Sequence, residues 1–538
     1  MGKAVYWVIL VVLICASSLS AATYYVDDCN GNDNWDGKSP LYVSQNTGPV
    51  KTISKGLQCS DRGDIIIVAD GVYRGGKNLQ LHFDNEEVTL KSTNGPDGCV
   101  LNFYGDNYFW NFNSDVKTLI NGFTIKGITN EIIKVYQQNK VEFDNCIFEN
   151  NTLEYVNSLI TCYEQGSLKL NNCIFRNNIV EQGSIVKSSG FANIEVLGCE
   201  LTENISLYDY SIISCMGDCN TVIANTQVDE NWNYGGSKIR GIYCSGSANV
   251  KIISCDITNN SSDYYASGIV CEDTANVIIS GCNISNNSSM KDNYGICVRN
   301  GYTTKIKIEN CIISDNSFSA QGYNEGCGIF AEEGILEVVN CLISGHPECG
   351  ILIGSKVEKA MIKNCTIIDN IDACDSFGIR SYNKHTIFEN CILKDNGNNQ
   401  LYGKYIVVSY SDISDNTDHI WPGIGNLNTD PLFADPNNGD YHLLSQAGRW
   451  DPDSQQWVRD DISSPCIDGG DPTDWVGDEP AGSGGRINMG YFGGTAQASK
   501  TDFCNGSLPG DINRDCVVNF VDFALMTSDW LSSTIEQP

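Results

Sequence analysis

Residues 145–150 read Asn-Cys-Ile-Phe-Glu-Asn, and residues 172–177 repeat the phrase as Asn-Cys-Ile-Phe-Arg-Asn. Variants of the phrase continue along the chain in steps of 24 to 30 residues, with one double step that Thr226 bridges in matching surroundings. A fixed period of this length indicates a solenoid, in which each period forms one turn stacked on the next. The cysteines of the phrase are Cys146, Cys173, Cys199, Cys255, Cys282, Cys311, Cys341, Cys365 and Cys391.

One period, residues 241–262, contains three short runs in which β-branched residues recur every second position, separated by turn-forming Ser, Gly and Asn. It shows no helical periodicity. Three short strands in about 25 residues are typical of a parallel β-helix, in which each coil is hydrogen-bonded to the next. The sequence therefore predicts an all-β solenoid.

The same stacking predicts side-chain ladders, because each position lies directly above its counterpart in the neighbouring coil. The repeated cysteine is expected to be buried at a corner, and Asn at the turns to adopt left-handed backbone and to bond along its own stack. A second buried ladder is predicted from Cys162, Cys215, Cys244 and Cys271. Neighbouring rungs have parallel Cβ directions, which is poor disulfide geometry, so off-ladder pairs such as Cys29 with Cys59 are better candidates.

The beginning of the chain and its charge bear on location and partners. Residues 1–22 combine Lys3, an apolar run and a small-residue end, which predicts a cleaved signal peptide, a secreted or cell-surface protein, and no membrane span after cleavage. The formal net charge of -32, with 34 Lys plus Arg, argues against nucleic acid as a partner. It also disfavours a polyanionic ligand unless calcium or a local basic patch intervenes.

Residues 63–73 read Gly-Asp-Ile-Ile-Ile-Val-Ala-Asp-Gly-Val-Tyr, shortly after the amphipathic stretch at residues 50–57. This opening resembles that of the secreted right-handed β-helix proteins of the pectin-lyase-like superfamily, in which a strand and a short helix cap the first coil. The resemblance implies a right-handed parallel β-helix with an N-terminal cap and first coils at residues 23–115 and repeats at residues 116–420. Residues 421–500 break the period and are interpreted as a C-terminal cap.

Residues 509–538 resemble half of a type I dockerin, the module that docks secreted enzymes onto cohesins. The resemblance rests on an EF-hand-type loop with oxygen ligands at positions 1, 3, 5, 9 and 12 and a backbone carbonyl at position 7, followed by an apolar helix. It implies bound Ca²⁺ and a cohesin-like partner, although Cys516 replaces the usual Gly and only one repeat is present. The alternative is a solvated acidic tail. The ligand positions are Asp511, Asn513, Asp515, Val517, Asn519 and Asp522.

The superfamily resemblance implies that chemistry would lie on the outward face of the first strand of each coil. The row of outward residues that ends this strand contains Glu272, Arg299 and Glu332, which are the candidate catalytic residues. Carboxylates two rungs apart would be separated by ~9.6 Å, near the upper limit for an inverting glycosidase pair, and Arg299 could serve as a lyase base. The alternative is a structural charge ladder that avoids stacking like charges.

Aromatic residues precede this strand in coil after coil, and flat rings in a row suit stacking on sugar rings. The alternative is an aromatic ladder that packs the loops against the solenoid. The candidate substrate-binding residues are Tyr234, Tyr264, Tyr294, Tyr323 and Arg380.

The stretch around His346 and Gly350-Ile351-Leu352-Ile353-Gly354-Ser355 resembles part of the polygalacturonases. The preceding coil has Glu325-Gly326-Cys327 where that family has paired aspartates, and without the pair there is no acid and no activated water. The sequence thus predicts an exported β-helix protein that binds an extracellular polysaccharide and is a candidate lyase or glycoside hydrolase. The alternative is a non-catalytic surface, adhesion or structural protein.

Overall fold

The computed structural model describes residues 21–501 together with residues 518, 520 and 523. The description leaves out residues 85–86, 106–109, 113–114, 131–132, 155–157, 208–210, 235–237, 264, 302–303, 319–325, 372–375, 398, 415–418 and 482, and covers only the backbone of residues 234, 238–239 and 265–267. The six predicted calcium ligands, most of the predicted signal peptide, and Tyr264 and Tyr323 therefore lie outside the described residues. No described helix is long and apolar enough to cross a membrane.

The predicted right-handed β-helix is confirmed: the described chain is dominated by a right-handed solenoid of parallel β-strands, whereas the C-terminal calcium module stays a prediction. From residue 133 onward, each coil contributes one strand to each of three sheets, which we number in the order in which the chain passes through them; the earlier coils contribute strands to sheets 2 and 3. The strands of sheet 1 are Ile133–Val135, Ile160–Cys162, Val186–Ser188, Ser211–Cys215, Lys238–Cys244, Tyr265–Glu272, Asn293–Arg299, Phe377–Ser381 and Asn399–Tyr402.

Sheet 2 is joined to sheet 1 by two long strands, Gly326–Val339 and Cys349–Lys363, that run through both without a break. The other strands of sheet 2 are Thr23–Val26, Asp64–Val68, Glu87–Ser92, Lys117–Asn121, Lys140–Asp144, Ser167–Asn171, Asn193–Leu197, Asn220–Ala224, Asn249–Ile253, Asn276–Ser280, Lys305–Glu309, Thr386–Glu389 and Ile406–Ser409.

Sheet 3 has 14 strands, so the solenoid is on the order of 60 Å long at a rise of ~4.8 Å per coil. Its strands are Gly71–Tyr73, Cys99–Asn102, Thr124–Lys126, Ile147–Glu149, Ile174–Arg176, Glu200–Thr202, Gln227–Asp229, Asp256–Thr258, Asn283–Ser285, Ile312–Ser314, Leu342–Ser344, Thr366–Ile368, Ile392–Lys394 and Asp412–Ser414.

Seven coils add a fourth, very short strand that the sequence pattern did not indicate. These strands are Thr152–Leu153, Ile179–Val180, Ile205–Leu207, Trp232–Tyr234, Ser261–Ser262, Ser288–Ser289 and Ser317–Phe318. The remaining elements are the paired strands His82–Phe83 and Asn111–Phe112, two antiparallel hairpins (Phe433–Asp435 with Asp440–Leu443, and Arg449–Asp451 with Gln456–Val458), helices Ile53–Cys59 and Gly76–Leu79, and the 3-10 turn Pro436–Asn438.

Left-handed residues make the corners of each coil, as the Asn-rich phrase predicts. Asn172 turns the chain from sheet 2 into sheet 3 with a φ of 50°, and Asn177 ends the sheet 3 strand with a φ of 54°. Glu164 makes the corner between sheets 1 and 2 with a φ of 56°. Asn tolerates this backbone region better than most residues, which explains why it recurs at two of the three corners.

A buried asparagine ladder runs along the corner after sheet 3. In a typical rung, the Asn231 backbone N and Nδ2 both donate to Oδ1 of Asn260, at 3.2 and 2.9 Å, and Nδ2 also donates to the Leu201 carbonyl at 2.8 Å. Asparagines therefore do bond along a stack, but the ladder residues are the neighbours of the left-handed asparagines: Asn260 follows the left-handed Asn259, for example. The ladder consists of Asn151, Asn178, Asn204, Asn231, Asn260, Asn287, Asn316, Asn370 and Asn396, with His346 in place of one asparagine.

Both predicted cysteine ladders are buried and their thiols are free. Thr226 fills the missing rung, where its Oγ1 accepts a hydrogen bond from the Cys199 backbone N. The candidate pair Cys29 and Cys59 is not bonded, since both residues are free thiols. The disulfide in the described residues joins Cys327 to Cys349, which lie outside both ladders but are register partners on adjacent coils, with Cα atoms 4.8 Å apart. The expectation that neighbouring rungs have poor disulfide geometry is therefore wrong for this pair.

The two ends of the solenoid are closed differently. Helix Ile53–Cys59 buries Ile53, Gly56 and Leu57 against the first coil. The segment interpreted as a C-terminal cap lies largely along the side, where Phe433, Cys466 and Met489 cover the outward residues Leu342 and Ile392 of sheet 3. The sequence could not show this lateral packing, because it joins residues far apart in the chain.

We predict that Asn260→Ala lowers the free energy of unfolding by roughly 2–4 kcal/mol, because two donors of Asn231 and the Val228 carbonyl lose their buried partners. Urea denaturation followed by circular dichroism measures the loss. The matched control is Asn249→Ala, an exposed asparagine whose Oδ1 accepts only from Nδ2 of Asn276 in the next coil, and it should stay within about 0.5 kcal/mol of the parent. Equal losses in the two variants would contradict the structural role of the ladder.

Candidate functional site

The outward face of sheet 1 carries one continuous row of side chains in register from coil to coil. Its members are Tyr243, Val270, Cys297, Phe330, Leu352, Arg380 and Tyr402. Val270, Cys297 and Leu352 are buried, and they form an apolar cluster with Tyr294, Phe377 and the Cys327–Cys349 disulfide. The middle of this face is therefore packed, and its polar groups lie at the two ends of the cluster.

Glu272 lies at one end of the cluster, between two arginines. Its carboxylate accepts hydrogen bonds from Nε of Arg299 at 2.8 Å and from the Tyr243 hydroxyl at 2.7 Å. Arg240 approaches the same carboxylate at 3.7 Å, and its guanidinium stacks on the Tyr243 ring at 4.0 Å. Only 12% of the Glu272 side chain is exposed. The predicted neighbours Glu272 and Arg299 are thus in direct contact.

This arrangement keeps Glu272 ionised. Burial raises the pKa of Glu272, but the hydrogen bonds from Tyr243 and Arg299 and the positive charges of Arg240 and Arg299 outweigh burial and hold the pKa below its usual range. The pKa of Arg299 is raised, since its contacts with Cys297 and Glu272 outweigh the effect of burial. A general acid must carry a proton at working pH, which the ionised Glu272 does not, and a base must be deprotonated, which Arg299 is not.

Glu332 lies apart from this pair and has its own cation. Lys356 Nζ is 3.8 Å from a Glu332 oxygen and 2.6 Å from Glu333, and 41% of the Glu332 side chain is exposed. Each candidate carboxylate is therefore held by a basic residue, as the charge-ladder alternative predicts. The assignment of Glu272, Arg299 and Glu332 as catalytic residues stays a prediction.

Arg380 lies at the other end of the apolar cluster among aromatic rings. Its guanidinium is 5.3 Å from the ring centroids of both Phe377 and Tyr382, and Nη1 is 3.4 Å from Glu348. The Tyr382 ring contacts that of Tyr402, with centroids 6.3 Å apart. Tyr382 is 46% exposed and Tyr402 50% exposed, so their rings are open to solvent. We call Arg380, Tyr382 and Tyr402 the aromatic end.

Of the four tyrosines predicted to bind substrate, Tyr294 alone has a described side chain. Tyr294 is buried and stacks on Phe330 with centroids 4.9 Å apart, so it packs the face. The Tyr234 side chain is outside the description. Sequence reasoning passed over Tyr402 because its coil lacks the Gly that opens the strand in earlier coils. It also passed over Arg240, whose contact with Glu272 depends on coil register.

His346 has a structural position. Its Nδ1 lies 2.8 Å from Oδ1 of Asn370 and its Nε2 lies 3.2 Å from Nδ2 of Asn316, so it replaces one asparagine of the buried ladder. Burial lowers the pKa of His346 to about 4, which keeps the ring neutral. The similarity to polygalacturonases around this residue therefore does not extend to an exposed histidine. Within the described residues, no group of three or more His, Cys, Asp or Glu side chains is placed to hold a metal ion.

Comparison with known proteins agrees with the fold. The family model described as "Right handed beta helix region" matches residues 108–318 and 230–367. A second family model, described as "Disaggregatase related", matches residues 357–470. No curated protein matches the sequence.

Several solved structures resemble the chain at low identity. Pectate lyase Pel9A is 14% identical, with a TM-score of 0.34 over 88% of this chain and 97% of that one. The GH136 lacto-N-biosidase from Eubacterium ramulus is 11% identical, with a TM-score of 0.35 over 71% and 68% of the two chains. A PL6 alginate lyase is 12% identical, with a TM-score of 0.33 over 76% and 85%. At these values no activity follows from the likeness.

We predict that Glu272→Gln lowers the free energy of unfolding at pH 7 by about 1–3 kcal/mol, because two largely buried arginines lose their counter-charge. The folded-state pKa of Glu272 is depressed, so its contribution is present above the ordinary value of 4.5 and is lost as the pH falls through the folded value. Urea midpoints of parent and variant should therefore converge below about pH 4.5. Glu332→Gln, at a more exposed site, is the control and should change the urea midpoint little at pH 7 or below pH 4.5. A difference in midpoint between Glu272→Gln and the parent that does not change with pH would contradict the role of the Glu272 charge.

Proposed function

We propose that the protein is exported and binds an extracellular polysaccharide along the outward face of sheet 1. The observation that carries the proposal is the aromatic end, where the guanidinium of Arg380 lies 5.3 Å from the half-exposed ring of Tyr382, which contacts the half-exposed ring of Tyr402. A tyrosine ring offers a flat apolar face with a polar edge, which suits the apolar C–H face of a sugar ring. An arginine beside it can donate several hydrogen bonds to hydroxyl or carboxylate oxygens.

The geometry supports binding better than cleavage. Glycoside hydrolysis needs one carboxylic acid that carries a proton and a second carboxylate across the scissile bond. Glu272 is held ionised by two arginines, and Glu332 is paired with Lys356. These contacts support the non-catalytic alternative, in which the rod is a rigid binding face on a surface or adhesion protein.

We predict that the double variant Tyr382→Ala/Tyr402→Ala weakens binding to a retained polysaccharide roughly tenfold or more, because both exposed rings are removed. Affinity electrophoresis of the full chain through gels containing pectin, alginate, glycosaminoglycans or neutral glycans, with calcium present, gives the dissociation constants. Tyr104→Ala, an exposed tyrosine near the other end of the solenoid, is the matched control and should leave retention unchanged. Retention that is absent on every polymer, or unaffected by the double variant, would refute the proposed site.

The same panel decides between binding and cleavage. We expect no new reducing ends after incubation of the full chain with any of the polymers. New ends that disappear in Glu272→Gln, while that variant remains folded by circular dichroism, would establish a lyase or hydrolase instead and would assign Glu272 to its mechanism.

We further propose that the tail binds Ca²⁺ through Asp511, Asn513, Asp515, Asn519, Asp522 and the Val517 carbonyl, and that it docks on a cohesin-like protein. The support is the spacing of oxygen ligands in the sequence, since these residues lie outside the described structure. Calorimetric titration of the full chain with Ca²⁺ should show a site that Asp511→Ala/Asp515→Ala removes. Asp435→Ala, in an exposed turn far from the loop in sequence, is the control. A titration unchanged by the double variant would remove the loop from consideration.

A further inference from the structure

An open depression of about 660 Å³ lies at the corner between sheets 1 and 2, in the coils that precede residue 192. It is far from the aromatic end: the register places Tyr163 and Tyr382 eight rungs apart, or ~38 Å along the axis. Its lining residues are Gln137, Gln138, Tyr163, Glu164, Gln165, Ser189, Gly190 and Phe191.

Two rows of side chains change where the depression begins. In one row, Tyr136 stacks on Tyr163 with centroids 5.4 Å apart and planes 17° apart, and the next rung carries Ser189. In the adjacent row, Gln137 and Glu164 are followed by Gly190, all three with left-handed backbone. The coil that carries the small residues Ser189 and Gly190 therefore follows the coil that carries the large residues Tyr163 and Glu164. The loss of side-chain volume between the two coils leaves the depression open.

Phe191 supplies an apolar ring at the depression, in the row that begins with Gln138 and Gln165. It is 61% exposed, which is unusual for a phenylalanine that lines a concave surface. The side-chain amides of Gln137, Gln138 and Gln165 make no hydrogen bond to another described residue, so they present donors and acceptors to solvent. An exposed ring beside several unengaged amides matches a ligand with an apolar face and hydroxyl edges, which is the chemistry of a sugar.

The charge of the residues that line the depression indicates which class of ring-stacking ligand it suits. Among its lining residues Glu164 is the one charged side chain, and the chain as a whole carries a net charge of -32. A nucleic acid or a polyuronate would need cations that this surface lacks. We propose that the depression is a binding site for an uncharged glycan, with Phe191 stacking on a sugar ring and the three glutamines bonding to its hydroxyl groups. This site is independent of the one proposed at the aromatic end.

The test is calorimetric titration of the full chain with neutral hexasaccharides (β-1,4-glucan, β-1,4-xylan, β-1,4-mannan and β-1,3-glucan) and, for comparison, with hexagalacturonate and a single-stranded oligonucleotide. We expect at least one neutral hexasaccharide to bind and Phe191→Ala to weaken it roughly three- to tenfold. Gly190→Asn should also weaken it, since Asn accepts left-handed backbone and its side chain fills the floor. Trp475→Ala, another exposed aromatic residue, is the control and should bind as the parent does.

The outcomes separate this site from the aromatic end. Loss of neutral-glycan binding in Phe191→Ala and its retention in Tyr382→Ala/Tyr402→Ala would support the depression as a separate site. The proposal would be overturned if no neutral hexasaccharide bound, if Phe191→Ala and Gly190→Asn both bound as the parent does, or if Phe191→Ala affected only the galacturonate or the oligonucleotide. Gly190→Asn and Phe191→Ala should unfold at nearly the same urea concentration as the parent, which shows that the variants are folded.

Discussion

The whole solenoid depends on in-register stacking, which places each side chain ~4.8 Å from its counterpart in the neighbouring coil. A buried polar group can then be satisfied by its own copies, and asparagine meets this requirement because its amide both donates and accepts. In the Asn231–Asn260 rung, Oδ1 of Asn260 accepts from two donors of Asn231, and Nδ2 of Asn231 also donates to a backbone carbonyl. Each rung therefore needs its neighbour, and stability is shared along the rod.

The same spacing disfavours stacks of like charge on the outward faces, although Lys117 and Lys140 are register partners. Opposite charges often face each other on neighbouring coils, as in Glu142 with Lys169 at 2.9 Å and Glu149 with Arg176 at 2.8 Å. The contact of Glu272 with Arg299 repeats this rule at a more buried place. A contact between a carboxylate and an arginine on the neighbouring rung is therefore expected in any solenoid of this kind. Such a contact supports catalysis only where the pKa of the carboxylate is shifted towards the working pH.

Local repeats made the core of the fold predictable. The period, the two cysteine ladders, the role of Thr226 and the bonding of the asparagines all follow from residues that recur at fixed spacing. The Cys327–Cys349 disulfide and the contact of Arg240 with Glu272 depend on the register of neighbouring coils, which varies with loop length. The lateral packing of Met489 on Leu342 and Ile392 joins residues that no local pattern relates. The aromatic end was predictable only in part. Arg380 could be placed in its outward row from the repeated Gly that opens the strand, whereas Tyr402 could not, because its coil lacks that Gly.

Both proposed glycan sites lie where a row of the ladder changes character. Tyr163 is followed by Ser189, and the buried Leu352 is followed by Arg380 and the exposed Tyr402. A continuous ladder satisfies its own members, so unengaged rings and amides can arise only at such breaks. The rigid rod then fixes the distance between the two sites, and a polymer that engages both would gain from a high effective concentration at the second site. Since Arg380 can donate to hydroxyl as well as carboxylate oxygens, a single neutral polymer long enough to span the two sites meets the requirements of both.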